Sequence, residues 1–308
     1  MTIDSVPLSG AARRRLRGYA EIGGSSLVMG TGGALLLVSH APASLLLVAR
    51  MALAALVLGP LFLATGGIAE VRRSGHPVRL VLVGCTVACE MLFYFAAIRL
   101  AGVAVGIALE YMAPVYIVIV APWVLHTRRE RSDTAAIVMA AAGMALIVVP
   151  TLTLAGSSHV LPGIVCGLIA GGCYAGAMLQ VKSLGETIRG TTSTLSFCLC
   201  TVVLVAPIAV WQTRAGHYRL TAGDLVIVAI MGLVYTALCF SLFTDGLRFV
   251  PVEHAGILGY LEPVTAPLWA LLLVGQRPPL TTWLGGALII VAGGLAIALG
   301  RAEAEVPT

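Results

Sequence analysis

The sequence predicts an all-α membrane protein of ten transmembrane helices, arranged as two inverted five-helix repeats. Three observations carry that expectation. Of 308 residues, 59% are hydrophobic and only 11% charged. The mean hydropathy is +0.99. The apolar residues also fall into long continuous runs, not scattered patches. A soluble domain carries about 25% charged residues, so this chain lacks the polar surface to cover a water-exposed globule. A β-barrel would instead alternate apolar and polar residues over segments of about ten.

A bilayer-crossing helix needs about 20 predominantly apolar residues. Charges and turn residues divide the chain into ten such runs, at 19–38, 42–64, 78–99, 102–125, 133–152, 158–181, 191–211, 223–245, 253–274 and 280–300. The first follows a basic segment, 1–18, and lacks a small-residue cleavage site, so it reads as a retained span and not a removed signal peptide. "SHAP" separates it from the second run, which holds Arg50. The charged "EVRRSGHPVR" precedes the third, which holds Glu90 and Tyr94. The fourth holds Glu110, Tyr111 and Pro114, and "HTRRERS" closes it. The sixth contains "GLIAGGCYAGAM", whose pairs Gly167/Gly171 and Gly172/Gly176 suit close helix packing. Tyr174 and Gln180 on the same helix are further candidates to face a cavity. The ninth holds Tyr260, Glu262, Pro263 and Trp269, and "GQRPP" leads to the tenth.

Basic residues orient the spans. With the N-terminus in the cytoplasm, the segments around 13–17, 72–79, 128–131, 182–189, 248 and 301 place fourteen of the nineteen Lys and Arg inside. Arg99, Arg214, Arg219 and Arg277 fall outside, and Arg50 lies within a span. Both termini are therefore expected in the cytoplasm, with an even number of spans; the expected location is a bacterial plasma (inner) membrane. The net charge of +5 is a topology signal, since a nucleic-acid partner needs a concentrated basic face.

The seven cysteines all lie in apolar runs without metal-ligand spacing, and read as small buried residues. No metal site and no catalytic residue is expected. HExxH and GxSxG are absent and no aspartate lies mid-span, which makes an intramembrane enzyme the weakest alternative.

Sliding the chain against itself by 149 residues places Arg99 on Arg248, Tyr111 on Tyr260, Pro114 on Pro263 and Val115 on Val264. The domains are therefore expected as a basic N-terminal segment 1–18, a first repeat 19–152, a second repeat 158–300 and a tail 301–308. Five spans per repeat insert the second upside down, the architecture of many secondary transporters, with the site near the midplane. A scaffold or binding protein would leave that repeat without a role.

A charged side chain at mid-bilayer costs at least about 2.5–3.5 kcal/mol and marks a pathway by default. Glu90, Glu110 and Glu262 are the candidate substrate-binding acids, or else are protonated and bonded to backbone. Arg50 is expected to pair with a carboxylate or a helix end. Tyr94, Tyr111, Tyr260 and Trp269 are candidate cavity walls, whereas Trp123, Trp211 and Trp283 suit an interfacial belt. Pro114 and Pro263 are expected to kink their helices and free the carbonyls of Glu110 and Gly259.

"VYTALCFSLFTDGLRFVPVEHAGILGYLEPVTAPLWALLLVGQ" resembles the C-terminal stretch of the EamA-type ten-helix exporters of the drug/metabolite transporter superfamily. There, a basic residue leads into a leucine-rich run, "LEP" and "GE"; here Gln276 replaces that last glutamate. Arg50 and "GGALIIVAGGLAIAL" resemble the family's second and closing spans. "GIALEYMAPV" is most similar to the threonine and homoserine exporter branch. The resemblance implies export of a small, zwitterionic metabolite through the bilayer, driven by a proton or counter-substrate gradient, with no cofactor. Aromatic amino acids, purines and drugs are the alternative substrates it implies.

Overall fold

The structure is a computed structural model that describes residues 10–32, 35, 39, 41–101, 103–125, 131–152, 160–216, 218, 220–275 and 280–304. Its helices are α1 (Gly10–Met29), α2 (Ala43–Ala64), α3 (Gly67–Ser74), α4 (Pro77–Ala101), α5 (Val103–Glu110), α6 (Ala113–Val124), α7 (Arg131–Leu152) and α8 (Val160–Ser183). They continue as α9 (Gly190–Gly216), α10 (Ala222–Ile230), a π-helical segment (Met231–Phe240), α11 (Ser241–Gly246), α12 (Val252–Gly259), α13 (Leu261–Val274) and α14 (Leu280–Ala304). Among the described residues there is no strand.

Among the described residues, five helical stretches are long and apolar enough to cross a membrane: Ala43–Ala64, Pro77–Ile98, Leu161–Ser183, Gly190–Gly216 and Ala222–Gly246. Shorter apolar stretches run over Thr134–Leu146 and Leu280–Ala292. Large apolar side chains such as Leu56, Val78, Leu161 and Val203 are outward-facing and exposed, which suits contact with lipid instead of water.

Three local features depart from the sequence reading. α1 begins at Gly10, so the basic residues 13–17 belong to the helix and do not precede it. α3 occupies the charged joint before α4, bounded by left-handed Gly66 (φ 76°) and Gly75 (φ 67°); glycine adopts that conformation without a Cβ penalty. The runs 102–125 and 253–274 are not kinked helices but broken ones. Their breaks fall at Tyr111–Met112 and at Tyr260, and Pro114 and Pro263 lie in the first turn of the helix that follows. Proline is favoured there because the N–H it lacks has no intrahelical partner in any case.

Packing follows a recurring scheme. α4 packs on α8 and α9, and α5 and α6 pack on α8 and α7. Correspondingly, the π segment packs on α1 and α2, α11 on α1, and α12 and α13 on α1 and α14. α2 pairs with α9, α6 with α12, and α7 with α14. The largest apolar cluster, which includes Ile22, Val83, Ile117, Met178, Leu247 and Leu258, joins helices from both ends of the sequence.

One end of the bundle is tied by charge. Arg14 pairs with Glu186 at 3.3 Å, Arg17 with Asp245 at 3.5 Å, and Arg189 with Glu70 at 2.5 Å. Lys182 donates to the carbonyls of Leu247, Arg248 and Val250 at 3.1, 3.1 and 2.7 Å, satisfying the open backbone between α11 and α12. The opposite end is tied by neutral donors: Ser39 Oγ donates to Asp224 at 2.8 Å and Ser44 Oγ to Gln212 at 2.6 Å.

Candidate substrate site

The broken helices create the setting. Because Pro114 has no N–H, the carbonyl of Glu110 loses its usual donor. The chain then tightens: the Val115 N–H bonds Met112 O at 2.9 Å, leaving Tyr111 O free as well. Tyr260 Oη fills that vacancy at 2.8 Å. The two tyrosines, 149 residues apart, also pack ring on ring with centroids 6.0 Å apart.

α8 reaches this break through glycine. A Cβ on Gly171 would lie 2.4 Å from Leu109 O and 3.3 Å from Glu110 O, and one on Gly167 would strike the Leu109 side chain at 2.6 Å. Only glycine allows so close an approach. Gly172, by contrast, faces open space, so of the two predicted glycine pairs only Gly167/Gly171 packs.

Four ionisable side chains from four elements lie close enough to interact here. Glu90 on α4 is 2% exposed, and its carboxyl is within hydrogen-bonding reach of Glu110 at the end of α5. Such a bond requires a proton on one of the two groups. Glu262, in the first turn of α13, is within hydrogen-bonding reach of the Tyr111 hydroxyl. Arg50 on α2 lies close enough to interact electrostatically with Glu90 and Glu262. Among the described residues, however, it makes no ion pair within 4.0 Å. Its Nη2 instead approaches Met91 Sδ at 3.8 Å. The contact pair expected for Arg50 is thus replaced by a gap. Arg50 Nε and Glu90 Oε1 are both buried without a hydrogen-bond partner.

Arg50, Tyr94, Glu110, Tyr174 and Glu262 are half-buried although they lie deep among the helices. That combination is the one expected of side chains that border an internal space. Tyr94 and Tyr174 interact electrostatically with Glu90, Glu110 and Glu262, and Tyr111 with Glu262 and Glu110. Trp269 is half-buried two turns beyond Glu262 on α13.

Two expected residues lie elsewhere. Tyr260 is 0% exposed, with its hydroxyl committed to Tyr111 O and its ring in a cluster with Ala140, Met144 and Ile289. It pins the break and does not line the space. Gln180 bonds Thr86 at 3.1 Å. Sequence reasoning also missed Tyr235 and Cys239 on the π segment, both of which interact with Glu262. Cys239 stands 149 residues after Glu90, so the repeat offset contained that signal.

The sequence pattern of the EamA-like transporter family matches the chain twice, over residues 23–149 and 161–298. The chain is similar to the uncharacterized transporter YwfM of Bacillus subtilis, 28% identical over 214 residues, covering 68% of this chain and 70% of that one. It is also similar to the uncharacterized transporter YxxF of the same organism, 24% identical over 269 residues and covering 87% and 84%. An uncharacterized transporter of Archaeoglobus fulgidus is 28% identical over 197 residues, covering 64% and 68%. A solved crystal structure superposes with a TM-score of 0.80 at 20% identity, over 94% of this chain and 99% of that one. At that identity the likeness is one of fold.

Proposed function

The chain belongs to the EamA-like transporter family, a multi-pass membrane transporter and not an enzyme; from that premise we propose that it exports small zwitterionic metabolites, above all amino acids of the threonine and homoserine kind, by alternating access between two inverted five-helix halves. The observation that carries the reading is the pair of buried, unpartnered atoms, Arg50 Nε and Glu90 Oε1, on groups of opposite charge that interact electrostatically. Buried polar groups are ordinarily satisfied, so such a pair suits a ligand that brings both an anion and a cation. A substrate carboxylate meets Arg50, and its ammonium meets Glu90 and Glu110, with Glu262 on the far wall.

The proton between Glu90 and Glu110 gives a route to coupling. An arriving ammonium replaces it, so substrate and proton occupy the acids in turn and cross in opposite directions. The double family match at 23–149 and 161–298 and the recurring packing scheme support two equivalent halves. The excess of basic residues on one set of joints supports cytoplasmic termini in a bacterial plasma membrane. A second reading, aromatic amino acids, is favoured by the rings of Tyr94, Tyr111 and Tyr174 beside the acids.

Counterflow of radiolabelled amino acids into proteoliposomes tests both readings. A hydrogen bond to a charged group contributes about 1.5–3 kcal/mol, so Glu90→Gln should lower apparent affinity for L-threonine about tenfold or more. Uptake of phenylalanine in preference to threonine selects the second reading. Unchanged counterflow in a Glu90→Gln, Glu110→Gln, Glu262→Gln triple variant refutes the role given to the acids.

A further inference from the structure

Two polar contacts outside the acid cluster stand in the same relation as the repeats. Gln180 Nε2 on α8 donates to Thr86 Oγ1 on α4 at 3.1 Å. Tyr235 Oη on the π segment bonds Thr31 Oγ1, just past the end of α1. Adding 149 to Thr31 gives Gln180, and adding 149 to Thr86 gives Tyr235. The two contacts are therefore counterparts, with donor and acceptor elements exchanged. In each, the threonine hydroxyl also donates to a nearby backbone carbonyl, Thr86 to Leu82 O and Thr31 to Val28 O, both at 2.8 Å.

Their levels differ in a definite sense. α4 starts at Pro77, following α3, on the end of the bundle where Glu70 meets Arg189 and Arg14 meets Glu186. Thr86 lies one turn nearer that end than Glu90. α10 starts at Ala222 on the opposite end, where Asp224 meets Ser39. Tyr235 lies one turn nearer that end than Cys239, the counterpart of Glu90. The two contacts thus flank the acid cluster on opposite sides.

A glycine stands beside each contact, more closely at one than at the other. A Cβ on Gly176 would sit 3.9 Å from Gln180 Nε2, an ordinary contact. Gly32 faces the Tyr235 ring, and a Cβ there would lie 3.0 Å away. Tyr235 itself is carried by a π-helical segment in which Thr236 Oγ1 reaches back five residues to Met231 O at 3.0 Å. Such segments are rare and concentrate at functional sites. Reversion to α-helical winding would rotate Tyr235 about its axis and part it from Thr31.

We infer that Thr86–Gln180 and Thr31–Tyr235 are the two gates of the site, one toward each face of the membrane, and that each half of the transport cycle breaks one while the other holds. Both contacts are formed here, so the described conformation is occluded. The inference rests on the alternating-access reading above and identifies the residues that alternate.

The test needs no substrate, so its failure is separable from a failure of the counterflow assay. The full-length protein is prepared with Cys239 as its sole cysteine. It is labelled with the membrane-impermeant reagent 2-(trimethylammonium)ethyl methanethiosulfonate in right-side-out and inside-out vesicles, and Cys239 modification is read by mass spectrometry. Loss of one hydrogen bond should raise the labelling rate about fivefold. Gln180→Ala should do so only from the face nearer Thr86. Thr31→Ala and Tyr235→Phe should do so only from the other. Thr86→Ser, which keeps the hydroxyl, should match the parent. Labelling that rises from both faces together, as in a loosened fold, or from neither, overturns the assignment.

Discussion

Tyr111 and Tyr260 began as a matched pair in the sequence and ended with different jobs. Tyr111 holds its hydroxyl within hydrogen-bonding reach of Glu262, while Tyr260 gives its own to a backbone carbonyl. Removing that hydroxyl leaves a buried carbonyl unsatisfied, at a cost of about 1–3 kcal/mol. Tyr260→Phe should therefore lower the melting temperature of purified protein by a few degrees while leaving substrate affinity near the parent value. A large affinity loss without a stability change would return Tyr260 to the site. At this scale the sequence was informative about charge: Arg50, Glu90, Glu110 and Glu262 were singled out because a bilayer penalises them, and the four lie close enough to interact electrostatically. It was silent on which hydroxyls the fold would commit elsewhere, because a tyrosine in an apolar run looks the same whether it lines a cavity or pins a turn.

The helices show why local sequence predicted some breaks and missed others. Pro114 and Pro263 announced an interruption, and α5/α6 and α12/α13 part within three residues of them. The π segment "MGLVYTALCF" carries no comparable mark, since its apolar residues face all directions and the period that separates α from π winding is lost. The glycine step was half legible. Four-residue spacing flagged both Gly167/Gly171 and Gly172/Gly176, but only the first meets another backbone. Gly171→Ala would force its Cβ to 2.4 Å from Leu109 O. Backbone cannot yield as a side-chain tip does, so a loss of about 1–3 kcal/mol is expected, read as reduced thermal stability. Gly172→Ala, which meets nothing within 4 Å, should leave stability unchanged or slightly raised; equal effects at both positions would contradict the packing.

Across the whole molecule, the repeat is where sequence comparison reached furthest and then stopped. Identity at an offset of 149 found Tyr111/Tyr260 and Pro114/Pro263 but passed over Thr31/Gln180 and Thr86/Tyr235, whose side chains differ while their contacts correspond. The two ends of the bundle also differ: one holds ion pairs, the other hydrogen bonds from neutral hydroxyl donors. Exposed ion pairs contribute about 0–1 kcal/mol each and weaken with salt. Raising ionic strength should therefore open the end bearing Asp245 more than the end bearing Asp224, measured as face-specific labelling of Cys239. Equal opening at both ends would show that the ion pairs do not hold that end.

The central claim is that acids from the two halves of the chain face one shared space. Cross-linking a cysteine-free background carrying Glu110→Cys and Glu262→Cys with dibromobimane, which bridges thiols a few ångströms apart, tests it most directly. The account predicts one fluorescent intramolecular adduct linking fragments from the two halves after cleavage of the joint between them. Thiols that each react with a monofunctional reagent yet never yield that adduct would place the two acids in separate environments and contradict the account.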